Sequence, residues 1–542
     1  MKNTKVLFVS GMTALLSLGV LTGCKKNDAA DKYDKSGRLI LNVKNVYFET
    51  WDGSDTYTEE LNEKFNVSIK PTNYDYADWD EMVNTSINGR KLKDMIHFNL
   101  KAYNFGSTYE KWVDREIIKA LPDDMSKWPN LNAMLNNDNI SNLDALKING
   151  KLYCIPIAND ISNPKKDFSN FTYVYRRDWV KLIDEANKGK SGYPVYREND
   201  VYTWAEFENL LEAFRINIPL IKEINNKASV LVDEEWGFPS VTNFYKDVPH
   251  CFTKDDNEKA INAFTSDKYI AGLEKAKQFV NKNYYSQDQF LFTASKANEL
   301  YVGGQAAVLY DNFSLVNYTK LRKAMRKLES VDDATALLKI KDENGNYALE
   351  GTENWFSATM FNYDISDEKM NKILDIMDYL LSEEGTRLAI YGKEGYDYKM
   401  VNGEVQLTEK GWEKDQQGNY APKINGAKYL RYMATLGNDT KSFDPYTDMD
   451  AYNLLNAWSE EMKQAKAAGK LRVVKEPADI DWMSTPEKND KTESLLYDAN
   501  VAALQYAFDK IKTLDAYRNE FDKNPSWKKV LDEINEKLGK SV

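Results

Sequence analysis

The sequence predicts an α/β protein of at least two domains, and three observations carry that expectation. Strand-like and helix-like segments alternate from residue 39 onwards, the order that builds a mainly parallel sheet with covering helices. The chain has 542 residues, too many for one hydrophobic core. No internal similarity recurs at a period of roughly 20 to 50 residues, which argues against a solenoid.

The first element is not part of that body. Lys2 and Lys5 precede an apolar stretch, Val6 to Val20, broken only by small or hydroxylated residues. It is shorter than the roughly 20 apolar residues of a spanning helix and reads as a secretory signal. It ends in Leu21-Thr22-Gly23-Cys24, followed by Lys25-Lys26, which resembles the lipobox of bacterial lipoproteins. The expectation is a signal peptide over 1–23, cleavage before Cys24, and acyl chains on Cys24 that hold the protein at the outer face of the cell membrane. Residues 24–37 are polar and charged beyond that cysteine and read as a flexible lipidated tether. No later segment offers about 18 continuous apolar residues, so lipid is the only expected membrane contact.

The body follows in order. Leu39 to Phe48 is rich in Leu, Val and aromatic side chains and reads as a strand. Tyr57, Leu61 and Phe65 recur at helical spacing within Asp55 to Phe65. Asn66 to Ile69 is strand again, a helix from about Asp78 stops near Gly89, and Asp94 to Phe98 is the next strand. Farther on, Phe171 to Tyr175 and Ala306 to Tyr310 read as strands. Thr203-Trp204-Ala205-Glu206 is a capping box, because the Thr hydroxyl and the Glu carboxylate can each satisfy a free backbone N–H. Ser366 caps a helix that carries Met370, Ile373, Met377 and Leu380 on one face. Met449 to Ala468 and Ala499 to Leu514 are helical runs of a C-terminal tail.

Charge and composition narrow the function classes. With 72 basic and 84 acidic side chains the net charge is −12, and −14 once Lys2 and Lys5 leave with the signal. That balance argues against nucleic acid and against docking on acidic lipid. Cys154 and Cys251 are too few for a disulfide framework. Each reads as a buried small hydrophobe, and a bridge between them is an open alternative that depends on geometry. His97 and His250 are the only histidines, which excludes an H-E-x-x-H zinc site. His97 lies in an apparent buried strand and reads as core. Gly189-Lys190-Ser191 ends like a P-loop, but Asp184 stands where the first glycine belongs. No G-x-S-x-G occurs. A glycosidase needs only two carboxylates, and the acid content leaves that reading open. The stronger signal is aromatic: Tyr, Phe and Trp make up 13% of the chain, with 34 Tyr and 12 Trp. Rings with a polar handle suit a ligand that has apolar faces and hydroxyls, as a pyranose does; for any single Trp the core is the better reading.

The order of motifs along the body is recognisable. Gly150-Lys151-Leu152-Tyr153 and Ile155-Pro156-Ile157 precede Tyr173-Val174-Tyr175-Arg176-Arg177-Asp178-Trp179. Then come the Trp204 helix and Tyr301-Val302-Gly303-Gly304-Gln305-Ala306-Ala307. Leu380-Leu381-Ser382-Glu383-Glu384-Gly385 and Tyr391-Gly392-Lys393-Glu394-Gly395-Tyr396 close the series. Together with the lipobox this resembles the family 1 extracellular solute-binding proteins of ABC importers, closest to the large carbohydrate-binding lipoproteins of Gram-positive bacteria. The resemblance covers about residues 38–410. It implies an α/β, two-lobed periplasmic-binding-protein-like clamp with a mainly helical C-terminal extension. Lobe one is expected over 38–160 and 303–350, lobe two over 161–302 and 351–410, and the extension over 411–542, packed on lobe two and the hinge. The implied function is capture of an oligosaccharide between the lobes by a monomer and delivery to the permease subunits of an importer, with no reaction, cofactor or metal. An extracytoplasmic glycan hydrolase with paired carboxylates, and a sensory or adhesive surface lipoprotein of the same fold, are the alternatives.

Candidate ligand residues follow from strand ends, because open α/β sheets bind ligands outside the carboxyl ends of their strands. Trp51 and Asp52 follow the first strand. Lys101 and Tyr103 follow Asp94 to Phe98, Asn159 and Asp160 follow Ile155 to Ile157 at the first crossing between lobes, and Asp311 and Asn312 follow Ala306 to Tyr310. From lobe two, Trp236, Trp355 and Tyr396 stand in loop-like segments of the kind that supplies stacking residues in this family.

Overall fold

The computed structural model describes residues 32–540 apart from Glu49 and residues 75–77, 100–104, 139, 141, 159–167, 189, 191–195, 219–228, 234–237, 250, 287, 289–292, 329, 354, 415–419, 424–425 and 435–447. The expected signal peptide, Cys24 and the first part of the expected tether lie outside the described residues. The end of that tether is bonded to the body instead: Asp34 accepts from the backbone N–H groups of Ser36 and Arg38, and Lys32 pairs with Glu368 at 2.7 Å.

The first lobe begins with β1 (Leu39–Asn45), α1 (Thr56–Phe65), β2 (Val67–Asn73), α2 (Trp79–Asn88), β3 (Met95–Asn99), α3 (Phe105–Asp114), β4 (Ile118–Lys119), α4 (Pro129–Leu135) and β5 (Cys154–Ala158). Local chemistry sets α1. Asp55 accepts from the N–H groups of Tyr57 and Thr58, and Asn66 ends the helix at φ 53°, a left-handed cap that Asn tolerates. The chain then builds the second lobe with β6 (Phe171–Tyr175), α5 (Arg177–Ala186), β7 (Val201–Thr203), α6 (Trp204–Asn217), β8 (Leu231–Asp233), α7 (Asp267–Asn281), α8 (Ala294–Val302), β9 (Val308–Asn312), α9 (Leu315–Met325), β10 (Ala336–Lys341) and β11 (Tyr347–Glu350). The expected capping box forms at α6, with Thr203 and Glu206 each accepting from the other's backbone N–H. It returns to the first lobe with β12 (Trp355–Asn362), α10 (Asp367–Leu381), α11 (Glu383–Tyr391) and α12 (Gly426–Met433). The tail adds α13 (Met449–Ala467), β13 (Leu471–Val474), α14 (Ala478–Asp481), α15 (Pro486–Ala507), α16 (Leu514–Lys523) and α17 (Pro525–Lys537).

Two sheets result. The first runs β2-β1-β3-β12-β4, with β5 also pairing β12; the second runs β8-β9-β6-β10-β11-β13, with β7 beside β10. This corrects the expected lobe allocation. Residues 303–350 belong to the second lobe, because Ala336, Leu337 and Leu338 pair with Tyr175, Val174 and Tyr173. The stretch from 355 belongs to the first lobe, because Ala358 to Phe361 pair with Phe98 to Met95. The return crossing lies at 351–354, later than motif order suggested. The sheets are also mixed rather than mainly parallel. β1 is parallel to β2 and β3, but β12 arrives from the other lobe and runs antiparallel to β3, β4 and β5.

The extension divides as well. Ala427, Leu430 and Met433 of α12 join the first lobe's core, with Leu41, Phe98, Met360 and Met377. β13 completes the edge of the second sheet, in parallel with β11. α14 to α17 enclose a further core with Phe264, Leu495, Trp527 and Ile534. Two motifs of the sequence are explained by packing. Gly385 sits where α11 turns back from α10, and a Cβ there would lie 2.0 Å from the Tyr379 carbonyl oxygen. Beyond Gly392, Asp397 accepts from Lys393 N–H at 2.7 Å and from the Tyr57 hydroxyl at 3.0 Å, tying this turn to α1.

Candidate functional site

The carboxyl ends of the central strands gather at the junction between the lobes. In the first sheet the end of β5, Ala158, pairs with Trp355, and the end of β3, Asn99, pairs with Ser357. In the second the end of β9, Asn312, pairs with Phe171, close to the bridge between Phe168 and Gly351. The described chain changes lobe three times, between Ala158 and Phe168, between Gly351 and Trp355, and between Ala434 of the first lobe's core and Ala451 of the second lobe's. Glu353, in the second crossing, accepts from Asn142 Nδ2 at 2.9 Å and is 8% exposed.

Of the residues picked from strand ends, Lys101, Tyr103, Asn159, Asp160 and Trp236 lie outside the described residues. The others divide. Trp51 is buried: its indole N–H donates to Asp55 Oδ2 at 2.8 Å and Thr58 Oγ1 at 3.0 Å. Its ring lies over Tyr429 at 5.8 Å and meets the Phe48 ring edge at 4.6 Å. It serves the start of α1 rather than offering a stacking face, because its polar handle and ring are both engaged within the lobe. Asp52 is exposed and accepts from the Ser54 N–H and hydroxyl, bonds that lower its pKa. Asp311 is buried on β9 and accepts from Asn298 Nδ2 at 2.6 Å. Asn312 is half-buried, and its carbonyl accepts from Asn317.

Two picks move between lobes. Trp355 is 1% exposed and lies in the first lobe's core, its ring 5.8 Å from that of Trp482. It is neither a second-lobe residue nor an open stacking surface, because β12 carries it into the first sheet beside β5. Tyr396 is 47% exposed, but it sits in the first lobe's turn held by Asp397.

Residues not singled out by sequence occupy the same edges. Tyr47, in the turn after β1, stacks on Tyr432 of α12 at 4.6 Å and 23°, and both are half-buried. Tyr47 sits inside what reads as a longer strand, and only the fold brings α12 to it. In the second lobe β10 leaves β6 after Leu338 to join β7. The resulting gap opens a small pocket, with Phe171, Trp204, Phe244 and Tyr310 among its walls. At its mouth Arg472 pairs with Asp342 and, at 2.7 Å, with Asp247. Burial raises the Asp247 pKa, and Arg472 opposes that shift. Aromatic walls with carboxylates at the rim offer both apolar contact and hydrogen-bond acceptors, the chemistry a sugar ring takes.

Among the described residues no group of three or more His, Cys, Asp and Glu is placed to hold a metal ion. His97 is fully buried in β3, and burial pushes its pKa down to about 3. Cys154 and Cys251 are both free and buried, one in the first lobe's core and the other in the tail's. Burial pushes the Cys154 thiol up to about 12 and raises that of Cys251. No described helix is long and apolar enough to cross a membrane.

No family model and no curated protein matches the chain in sequence. Solved structures match it in fold. An extracellular solute-binding protein from Bifidobacterium longum subsp. infantis is 13% identical with a TM-score of 0.61, over 93% of this chain and 99% of that one. The alginate-binding protein AlgQ2 is 14% identical with a TM-score of 0.60, over 92% and 97%. The N-glycan transport solute-binding protein NgtS from Streptococcus pneumoniae is 14% identical with a TM-score of 0.59, over 92% and 97%. The fold is therefore that of a two-lobed solute-binding protein, tail included.

Proposed function

We propose that the chain is the solute-binding component of a carbohydrate ABC importer. It captures an oligosaccharide between its lobes and delivers it to membrane permease subunits. The observation that carries this reading is the threefold passage of the chain between two sheets whose strand ends gather at one junction, an arrangement suited to hinge closure on a ligand. The likeness in fold to proteins described as binding alginate or transporting N-glycans supports the carbohydrate class. The protein acts as a monomer, without chemistry on its ligand, at the outer face of the cell membrane through lipid on Cys24.

Calorimetric titration with a panel of neutral oligosaccharides tests the binding function. Saturable binding that changes little between low and high salt is expected, because a neutral ligand brings no charge to screen. Release of reducing ends without stable binding would replace this reading with a hydrolase. For the anchor, Cys24→Ala is expected to move the protein from the membrane to the soluble fraction with its melting temperature unchanged; full retention at the membrane would refute lipidation there.

A further inference from the structure

The tail is built on the second lobe and reaches the first. α15 packs along α7, and Ile480 of α14 is fully buried in the core that the tail shares with the second lobe. The residue that ends α14, Trp482, leaves that core. Its ring packs against the first lobe's core, 5.8 Å from Trp355 and at 50° to it. Trp355 is the first residue of β12, directly after the crossing at 351–354. The tail therefore meets the first lobe beside the hinge, and α15 also approaches α3 of that lobe.

A buried cation presents this ring. Lys488, in the first turn of α15, is 3% exposed. Its ammonium donates to the carbonyl oxygens of Asp481 at 3.1 Å and Met483 at 3.0 Å, the residues on either side of Trp482. A buried ammonium is costly unless its donors are used, and here two of them fix the backbone that carries one side chain. Separating the lobes at this point uncovers apolar area on both tryptophans, which opposes the separation.

We propose that the C-terminal tail is a brace across the hinge, with Trp482 as its contact residue and Lys488 as the positioning residue that presents it, so that the tail sets how far the lobes open. Its effect on ligand capture rests on the binding function proposed above; the brace itself does not.

The test measures the unliganded full chain carrying Cys24→Ser. Spin labels are placed at Leu182→Cys in the second lobe and Tyr363→Cys in the first, positions 64% and 41% exposed, while Cys154 and Cys251 stay buried. Pulsed electron resonance then reads the separation between lobes. Trp482→Ala and Lys488→Met are each expected to shift it to longer and broader values, and Trp482→Phe to keep it near that of the parent. If Trp482→Ala does not fold, Trp482→Leu takes its place. An unchanged separation on loss of the indole overturns the brace. A Lys488→Met chain that melts earlier but keeps the parent separation overturns the positioning role, since a merely structural lysine would behave so. If no saccharide binds the parent chain, the proposed function falls while the label separations still decide the brace.

Discussion

The carboxyl edges of the two sheets carry the same kinds of side chain and use them in opposite ways. On the first, Trp51 and Trp355 turn their rings into the lobe's own core. On the second, Phe171, Trp204, Phe244 and Tyr310 stand around an opening. An aromatic at a strand end therefore marks a site only where its neighbours leave a face uncovered, and which neighbours those are is decided far along the chain.

The sharpest way to break this contrast is to truncate one ring on each edge. Trp355→Ala is expected to cost about 3–5 kcal/mol of stability in the absence of ligand, the usual loss for a core tryptophan. Trp204→Ala, at a half-buried ring, is expected to cost clearly less and to weaken saccharide binding. Denaturant titration of both variants checks this, and equal losses would erase the distinction between the edges.

Ionisable groups extend the comparison to pH. His97 in the first lobe, held down to about 3, stays neutral across pH 5–8. Glu476, between the second sheet and the tail, is raised chiefly by burial from 4.5 to about 7. A carboxyl raised in the folded state contributes stability that is full below its unfolded pKa and is lost as pH rises through the folded one. Melting should therefore weaken from pH 4.5 to 7 by roughly 1–3 kcal/mol through this group. Glu476→Gln should flatten that slope, and a slope unchanged in the variant would remove Glu476 as its source.

The smallest expected effect is at the rim of the cavity. Asp247→Asn leaves Arg472 its pairing with Asp342, so stability should move by no more than about 1 kcal/mol. Saccharide affinity should fall if the rim takes part in binding. Calorimetry beside a thermal melt reads both, and unchanged affinity would remove the cavity from the ligand surface.

Local features were legible in the sequence and pairings at long range were not. The helix within Asp55 to Phe65, the Thr203–Glu206 box and β6 from Phe171 to Tyr175 follow from neighbouring residues. The lobe allocation depends on whether β10 sits beside β6 or β3, and the motifs around it are compatible with both. Trp51 read as a cleft residue because nothing near it in sequence announces Tyr429. Trp355 read the same way because its covering ring, Trp482, comes from the tail. The gap between β6 and β10 has no sequence signal at all, since it arises from one strand changing partners midway.

The nesting of one lobe inside the other also sets the order in which the molecule can be completed. Thr50 bonds to Tyr429, 379 positions later, and Tyr57 to Asp397, 340 positions later. As the chain is made from its amino end, β3 has to wait for β12, and every strand of the second sheet but β13 is made before the first sheet can close, while α13 and α15, which fill the second lobe's cores, come later still. During that interval the first lobe shows an unpaired strand edge, the surface through which half-made proteins stick to one another. A chain stopped at residue 410 would lack α12 and β13 and would leave both lobes open. The segment whose motifs are recognisable thus lacks packing, in both lobes, that only the last quarter of the chain supplies.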